Sequence, residues 1–346
     1  MGLIDGTSGN DFLTGTPFAD EMYGFDGLDT LEGNAGSDFL SGGRQRDRLL
    51  GGSSADEIYG GKGPDRLFGG SGFDTLSGDR GNDTLEGNTG TDIFFGGSGA
   101  DLFLTIPGEN DSVRDFNGSE GDVIDEANSF SSSILSTSTV SEEPSMPFFV
   151  ELKQQGNDLL VRNSLFEGYS VTLTGNGEYI NDPIPLLSSI NFITDPLLAN
   201  SVKSFQAEED ASEAETHSEI DPLTRLREAE ANLIEVIEHV ENGGLPSELG
   251  VLGPGADIVT AEQTEQRQAA LSEIQGYISD ELARQEEAAL ADNFLLPEVL
   301  EPGKQVFVIE EGTSIPLDIQ QEMMGGEILF VPSGYFDPTP ASEGFF

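Results

Sequence analysis

Along the first hundred residues an apolar side chain recurs every nine positions: Leu13, Met22, Leu31, Leu40, Leu49, Ile58, Leu67, Leu76, Leu85, Phe94 and Phe103. Its flanking positions are mixed, which is the pattern of a three-residue strand with one buried face. A glycine opens each nonapeptide, at Gly6, Gly15, Gly24, Gly33, Gly42, Gly51, Gly60, Gly69, Gly78, Gly87 and Gly96. Five residues after each glycine stands an aspartate: Asp11, Asp20, Asp29, Asp38, Asp47, Asp56, Asp65, Asp74, Asp83, Asp92 and Asp101. A unit of nine residues cannot bury its own apolar face, so such units must stack on one another. Each repeat therefore reads as a turn followed by a strand, and the chain as mainly β over this part. Asp5 stands outside the register and is expected to play little part in it.

The pattern changes downstream. Residues 105–125 interleave Asp111, Asp115, Asp122 and Asp125 with Val113, Phe116, Val123 and Ile124, as irregular closing turns would. Outward positions of the last repeats are apolar (Ile93, Phe95, Leu102, Leu104), which predicts a cover over that end. Phe148–Leu152, Asp158–Arg162 and Ser170–Thr174 read as strands between turns and could supply it. From Ala207 a polar acidic stretch, EEDASEAETHSEID, reads as a linker.

A helix is predicted to open at Asp221-Pro222 and to stop at Gly243-Gly244, with Leu223, Leu226, Leu233, Ile237 and Val240 on one stripe. A second begins at the Thr260-x-x-Gln263 capping box and carries Leu271, Ile274, Ile278 and Leu282 at spacings of three and four. The pair forms an antiparallel hairpin in the simplest reading. Lys304–Ile309 and Glu327–Val331 read as two further strands. The expected organisation is a repeat domain over 1–125, a β-rich capping region over 126–205, an acidic linker over 206–220, and an α+β region over 221–346 that ends in a tail.

Charge narrows the partners. The chain has 64 acidic and 15 basic residues, a net charge of −49, which repels nucleic acids and anionic membranes and favours cations. It has no cysteine, so disulfides and thiolate metal sites are excluded. The repeat aspartates and the carbonyls of glycine-rich turns offer oxygen alone, in a flexible cage that suits calcium better than magnesium or transition metals. Glycine lets these turns adopt positive φ and aim carbonyls at an ion. No apolar segment follows Met1 and no run of about 18 apolar residues occurs, so neither a cleaved N-terminal signal nor a membrane span is expected.

Repeats such as GGKGPDRLF (60–68) and GGSGFDTLS (69–77) resemble the glycine-rich nonapeptide of the RTX, or haemolysin-type, calcium-binding repeat family. The resemblance covers residues 6–104 and extends weakly to about 205. It implies a right-handed parallel β-roll in which two repeats complete one coil and turns 18 residues apart stack on one edge. Asp11, Asp29, Asp47, Asp65, Asp83 and Asp101 would then form one column, and Asp20, Asp38, Asp56, Asp74 and Asp92 the other. Six turns enclose five gaps and five enclose four, giving up to about nine calcium ions. Phe18, Gln45 and Ser54 replace glycine at the fourth position of their turns, and Arg44, Arg46 and Arg48 surround Asp47, so weaker binding is expected there. The resemblance also implies a secreted, extracellular or cell-surface protein handled by type I secretion machinery; the tail Glu343-Gly344-Phe345-Phe346 is similar to the tails of such substrates.

Enzymatic readings find little support. His217 and His239 form no H-E-x-x-H motif, no G-x-S-x-G elbow precedes a helix, and Gly61-Lys62 is followed by Gly63 rather than by the serine or threonine of a P-loop. The expected function is a non-catalytic calcium-binding protein with a structural, adhesive or matrix role, reaching a cell-surface or matrix partner through its C-terminal region. The alternative is a non-catalytic module or divergent member of a secreted RTX hydrolase.

Overall fold

The nine-residue period of the sequence becomes an eighteen-residue register in space. In a computed structural model, residues 2–126, 147–195, 198–199, 222–245, most of 259–282, and 303–336 are described. Strands Thr30–Ala35, Arg48–Ser53, Arg66–Ser71 and Thr84–Thr89 pair in parallel, each residue opposite the one 18 positions on, so that Leu31, Leu49, Leu67 and Leu85 make one ladder. The second sheet stacks Asp20–Asp26, Phe39–Arg44, Glu57–Lys62, Thr75–Arg80 and Ile93–Phe95 in the same way, aligning Met22, Leu40, Ile58, Leu76 and Phe94. Both ladders are fully buried, as the sequence pattern requires of a parallel β-roll. Most strands run for six residues rather than three, because parallel pairing continues into the turn, as at Gly52 opposite Gly70.

The roll also begins earlier than its repeats. Strand Gly2–Asp5 pairs with Asp20–Asp26 and sets Ile4 opposite Met22. Phe12, in the first strand of the other sheet, is 67% exposed, and Leu13 beside it is half-buried.

The chain divides into two compact units: Met1–Asp101 with Glu215–Leu296, and Leu102–Ala214 with Pro297–Phe346. In the first, the helix Pro222–Glu241 does not stand apart from the roll. Leu226, Leu233, Val236, Ile237 and Val240, with Ala270 and Ile274 of the second helical stretch, pack against Leu3, Tyr23, Phe25, Phe39 and Tyr59 on the roll's outer face. Tyr23, Phe39 and Tyr59 form a ring ladder there, with centroids 5.6 and 5.4 Å apart. The helix stops where Gly243 takes φ +87°, its amide bonding Val240 O and that of Gly244 bonding His239 O, so glycine closes the last turn as expected.

In the second unit, Leu102–Leu104, Val123–Asp125 and Ile190–Asn191 pair in parallel. A mixed sheet joins Asp111–Val113, Val171–Leu173, Asp158–Asn163, Val150–Gln155, Gln305–Glu310 and Glu327–Val331 in that order. The strands anticipated after residue 303 thus complete the sheet of residues 150–173, and the hairpin that precedes them belongs with the roll. Phe149, Phe307, Ile309 and Met323 form a core beside this sheet. No helix among the described residues is long and apolar enough to cross a membrane. The acidic linker, the Asp221 cap, Gln263 and the C-terminal tail lie outside the described residues.

Candidate metal centre

The repeat aspartates stack as the eighteen-residue register demands. In one column the amides of Asp11, Asp29, Asp47, Asp65 and Asp83 donate to Oδ1 of the aspartate 18 residues on, at 2.7–2.9 Å. In the other, Asp20, Asp38, Asp56 and Asp74 donate likewise to Asp38, Asp56, Asp74 and Asp92, at 2.7–2.8 Å. All eleven sequence-identified aspartates fall in these two columns, and all but the half-buried Asp11 are buried.

One carboxylate oxygen is thereby committed to the ladder, and the other decides the chemistry. Oδ2 of Asp29, Asp65 and Asp83 is buried with no hydrogen-bond partner. A methyl group placed on Gly60 would lie 2.7 Å from Asp65 Oδ2 and 3.0 Å from the carbonyl oxygen of Gly78. On Gly78 it would lie 2.5 Å from Asp83 Oδ2 and 2.7 Å from the carbonyl oxygen of Gly96. Carboxylate and carbonyl oxygens from successive coils therefore converge where only glycine fits. Among the described residues no three Asp, Glu, His or Cys side chains meet, so each candidate site combines few carboxylates with main-chain carbonyls. Hard oxygen donors of this kind fit calcium.

The first turn of each column is built differently. Oδ2 of Asp11 accepts the amide and hydroxyl of Thr7, and Oδ2 of Asp20 accepts the amide of Thr16. Each of these oxygens is thus hydrogen-bonded from within its own turn, and a bound ion would compete with those bonds.

Burial leaves the inner carboxyls short of positive charge. It raises Asp29 to about 6, Asp65 to about 7 and Asp83 to about 8, against an ordinary 3.8. Amide hydrogen bonds oppose the rise, and neighbouring carboxylates add to it: Asp79 at Asp65, and Asp65, Asp101 and Asp79 at Asp83. A bound cation would reverse these shifts by favouring the ionised form.

Gln45 and Ser54 adopt φ +76° and +81°, so their turns keep a left-handed residue despite lacking glycine there. Asp47 and Asp56 retain their places in the ladders. Arg44 points to the surface and pairs with Asp26 at 3.5 Å, while the Arg48 guanidinium lies 4.5 Å from the Phe68 ring centroid. Arg44 and Arg48 therefore engage surface partners, while the charge of Arg46 acts on the buried Asp65 and opposes the rise there.

A family model for the RTX calcium-binding nonapeptide repeat, four copies in length, matches residues 5–40, 32–67 and 68–103. Residues 5–103 are RTX calcium-binding repeats. No curated protein sequence matches the chain. Among solved structures, the chain is similar to the AlgE6R3 subunit of the Azotobacter vinelandii mannuronan C5-epimerase, at 23% identity over 51% of this chain and 86% of that one, with a TM-score of 0.22. The extracellular lipase LipA of Serratia marcescens matches at 19% identity over 51% of this chain and 38% of that one, with a TM-score of 0.16.

Sequence reasoning missed two features of the RTX roll. Asp79 occupies the second position of its turn at φ +67°, is buried, accepts the Ser77 hydroxyl, and raises both Asp65 and Asp83. An aspartate where neighbouring turns carry glycine was the available signal. Asp5 is no bystander: it packs against the buried Arg267 at 3.4 Å, and its carboxyl is raised by burial to about 6 although Arg267 opposes the rise. No local signal in the sequence links these two residues.

Proposed function

We propose that the RTX roll is a calcium-dependent folding unit, with ions held between stacked turns by Asp11, Asp29, Asp47, Asp65, Asp83 and Asp101 on one edge and by Asp20, Asp38, Asp56, Asp74 and Asp92 on the other. The observation that carries this reading is the convergence of a buried, unbonded carboxylate oxygen with a carbonyl oxygen at Gly60 and Gly78. Without an ion these carboxyls are buried at a cost, so ion binding contributes folding free energy directly. Extracellular calcium modules have dissociation constants on the order of 0.1–1 mM, far above cytosolic free calcium. The chain would then remain open inside a cell and fold on export. A secreted protein passed by type I secretion machinery, non-catalytic and structural, adhesive or matrix-forming, fits that switch and the absence of a recognisable catalytic motif.

Titration of the full chain with calcium, followed by far-UV circular dichroism, should convert coil to β-structure in the millimolar range, and equal magnesium should not. Equilibrium dialysis should count up to about nine ions, with the gaps beside Gln45 and Ser54 filling last. A roll fully folded in excess chelator at neutral pH overturns this reading.

A further inference from the structure

In a chain with a net charge of −49, one edge of the roll shows the opposite sign. Every charged side chain exposed between residues 42 and 84 is a cation: Arg44, Arg46, Arg48, Lys62, Arg66 and Arg80. Every Asp and Glu in the same span is buried. The placement follows from the register. Arg44, Lys62 and Arg80 end successive strands of one sheet and lie opposite one another. Arg48 and Arg66 begin successive strands of the other sheet and are likewise in register. Arg46 lies in the turn between Arg44 and Arg48. All six therefore border the same stack of turns, whereas the opposite stack presents Ser53, Ser54, Ala55, Ser71 and Phe73 at corresponding positions.

We propose that this edge is a binding site for a linear acidic polysaccharide bearing carboxylate or sulfate groups. The proposal rests on the preceding reading in one respect: calcium on the inner aspartates cancels the buried negative charge and leaves the exposed cations in command of the local field. Successive coils lie roughly 4.8 Å apart, so an extended chain laid along the column meets a cation at each step. Five of the six are arginines, whose planar forks match carboxylate and sulfate groups in bidentate pairs. At physiological ionic strength charges are screened within about 8 Å, so the cations bordering this stack of turns dominate the field met by a slender chain laid along it. The net charge of −49 opposes the approach of a DNA duplex or an anionic bilayer. Asp26, paired with Arg44, and Glu86, close to Arg48, bound the cationic stretch and limit its length.

The test uses the full chain in saturating calcium and fluorescent dextran sulfate, with uncharged dextran, duplex DNA and phosphatidylserine vesicles as comparisons. Dextran sulfate should bind, uncharged dextran should not, and DNA and vesicles should bind more weakly. Replacing Arg44→Gln, Lys62→Gln and Arg80→Gln together should weaken binding by about tenfold, the combined effect of three exposed ion pairs. In that variant the roll should still fold with calcium, at a midpoint by circular dichroism no higher than the parent's, because removing cations beside the column does not weaken calcium binding. Should the triple variant fail to fold, Arg46→Gln, which lies in no strand, must still weaken binding, and affinity must fall as salt rises. Undiminished binding by folded variants, or tighter binding to DNA or vesicles, overturns the proposal. A failure of the calcium reading would instead appear as a roll that folds in chelator, independently of any polysaccharide.

Discussion

Replacing Asp65 by asparagine should shift the roll in opposite directions with and without calcium. Asp65 Oδ1 accepts the Asp47 amide at 2.7 Å, its own amide donates to Asp83 Oδ1 at 2.7 Å, and its Oδ2 is buried without a hydrogen-bond partner. Asparagine preserves an acceptor for Asp47 and removes the charge. In the ion-free roll burial holds this carboxyl at about 7, against an ordinary 3.8. The unfolded chain therefore loses the proton first, and the roll loses stability as pH rises from about 4 to 7, with the full penalty present above that range. Three pH units at about 1.36 kcal/mol each make the penalty roughly 4 kcal/mol at pH 8. The asparagine variant escapes it and should be more structured than the parent in chelator at pH 8. In calcium the same variant lacks an anionic ligand, and its folding midpoint should rise by about tenfold, near 1.4 kcal/mol. Far-UV circular dichroism of the full chain reads both, as a pH series in chelator and a calcium titration at pH 8. A variant less structured than the parent in chelator, with an unchanged calcium midpoint, would reduce Asp65 to a hydrogen-bonding spacer and refute the reasoning.

Phe39→Ala removes the middle ring of the ladder beneath the helix Pro222–Glu241 and should cost roughly 3–5 kcal/mol. Denaturant unfolding in calcium measures the cost, and hydrogen exchange should quicken in that helix; unaltered exchange there would show that the ladder does not hold it. In the second unit, Glu126 is buried, accepts hydrogen bonds from the Asn163 amide group and the Ile193 amide, and is raised by burial from 4.5 to about 7. An acid so raised opposes folding as pH climbs from about 4.5 through 7, by roughly 3 kcal/mol, and Glu126→Gln should flatten the fall in thermal midpoint over that range. An identical pH profile in the variant would locate the titration elsewhere.

The sequence alone determined the roll, because in a stacked repeat each unit meets only its near neighbours and a fixed period already states who they are. Once two repeats complete a coil, the membership of both aspartate columns and the ladders Leu31–Leu85 and Met22–Phe94 follow from arithmetic. Strands at 150–155, 158–163, 305–310 and 327–331 and the helix at 222–241 were legible from alternation and capping for the same local reason. Tertiary structure decided what covers what. An apolar stripe at Leu226, Leu233 and Ile237 shows that a face is buried, and no period says that its partner is the ring ladder of Tyr23, Phe39 and Tyr59 some 200 positions earlier. The pairing of Gln305–Glu310 with Val150–Gln155 and the burial of Asp5 against Arg267 share that origin. Each depends on faces that become complementary only after the local elements exist, and surface match, rather than spacing along the chain, selects among them.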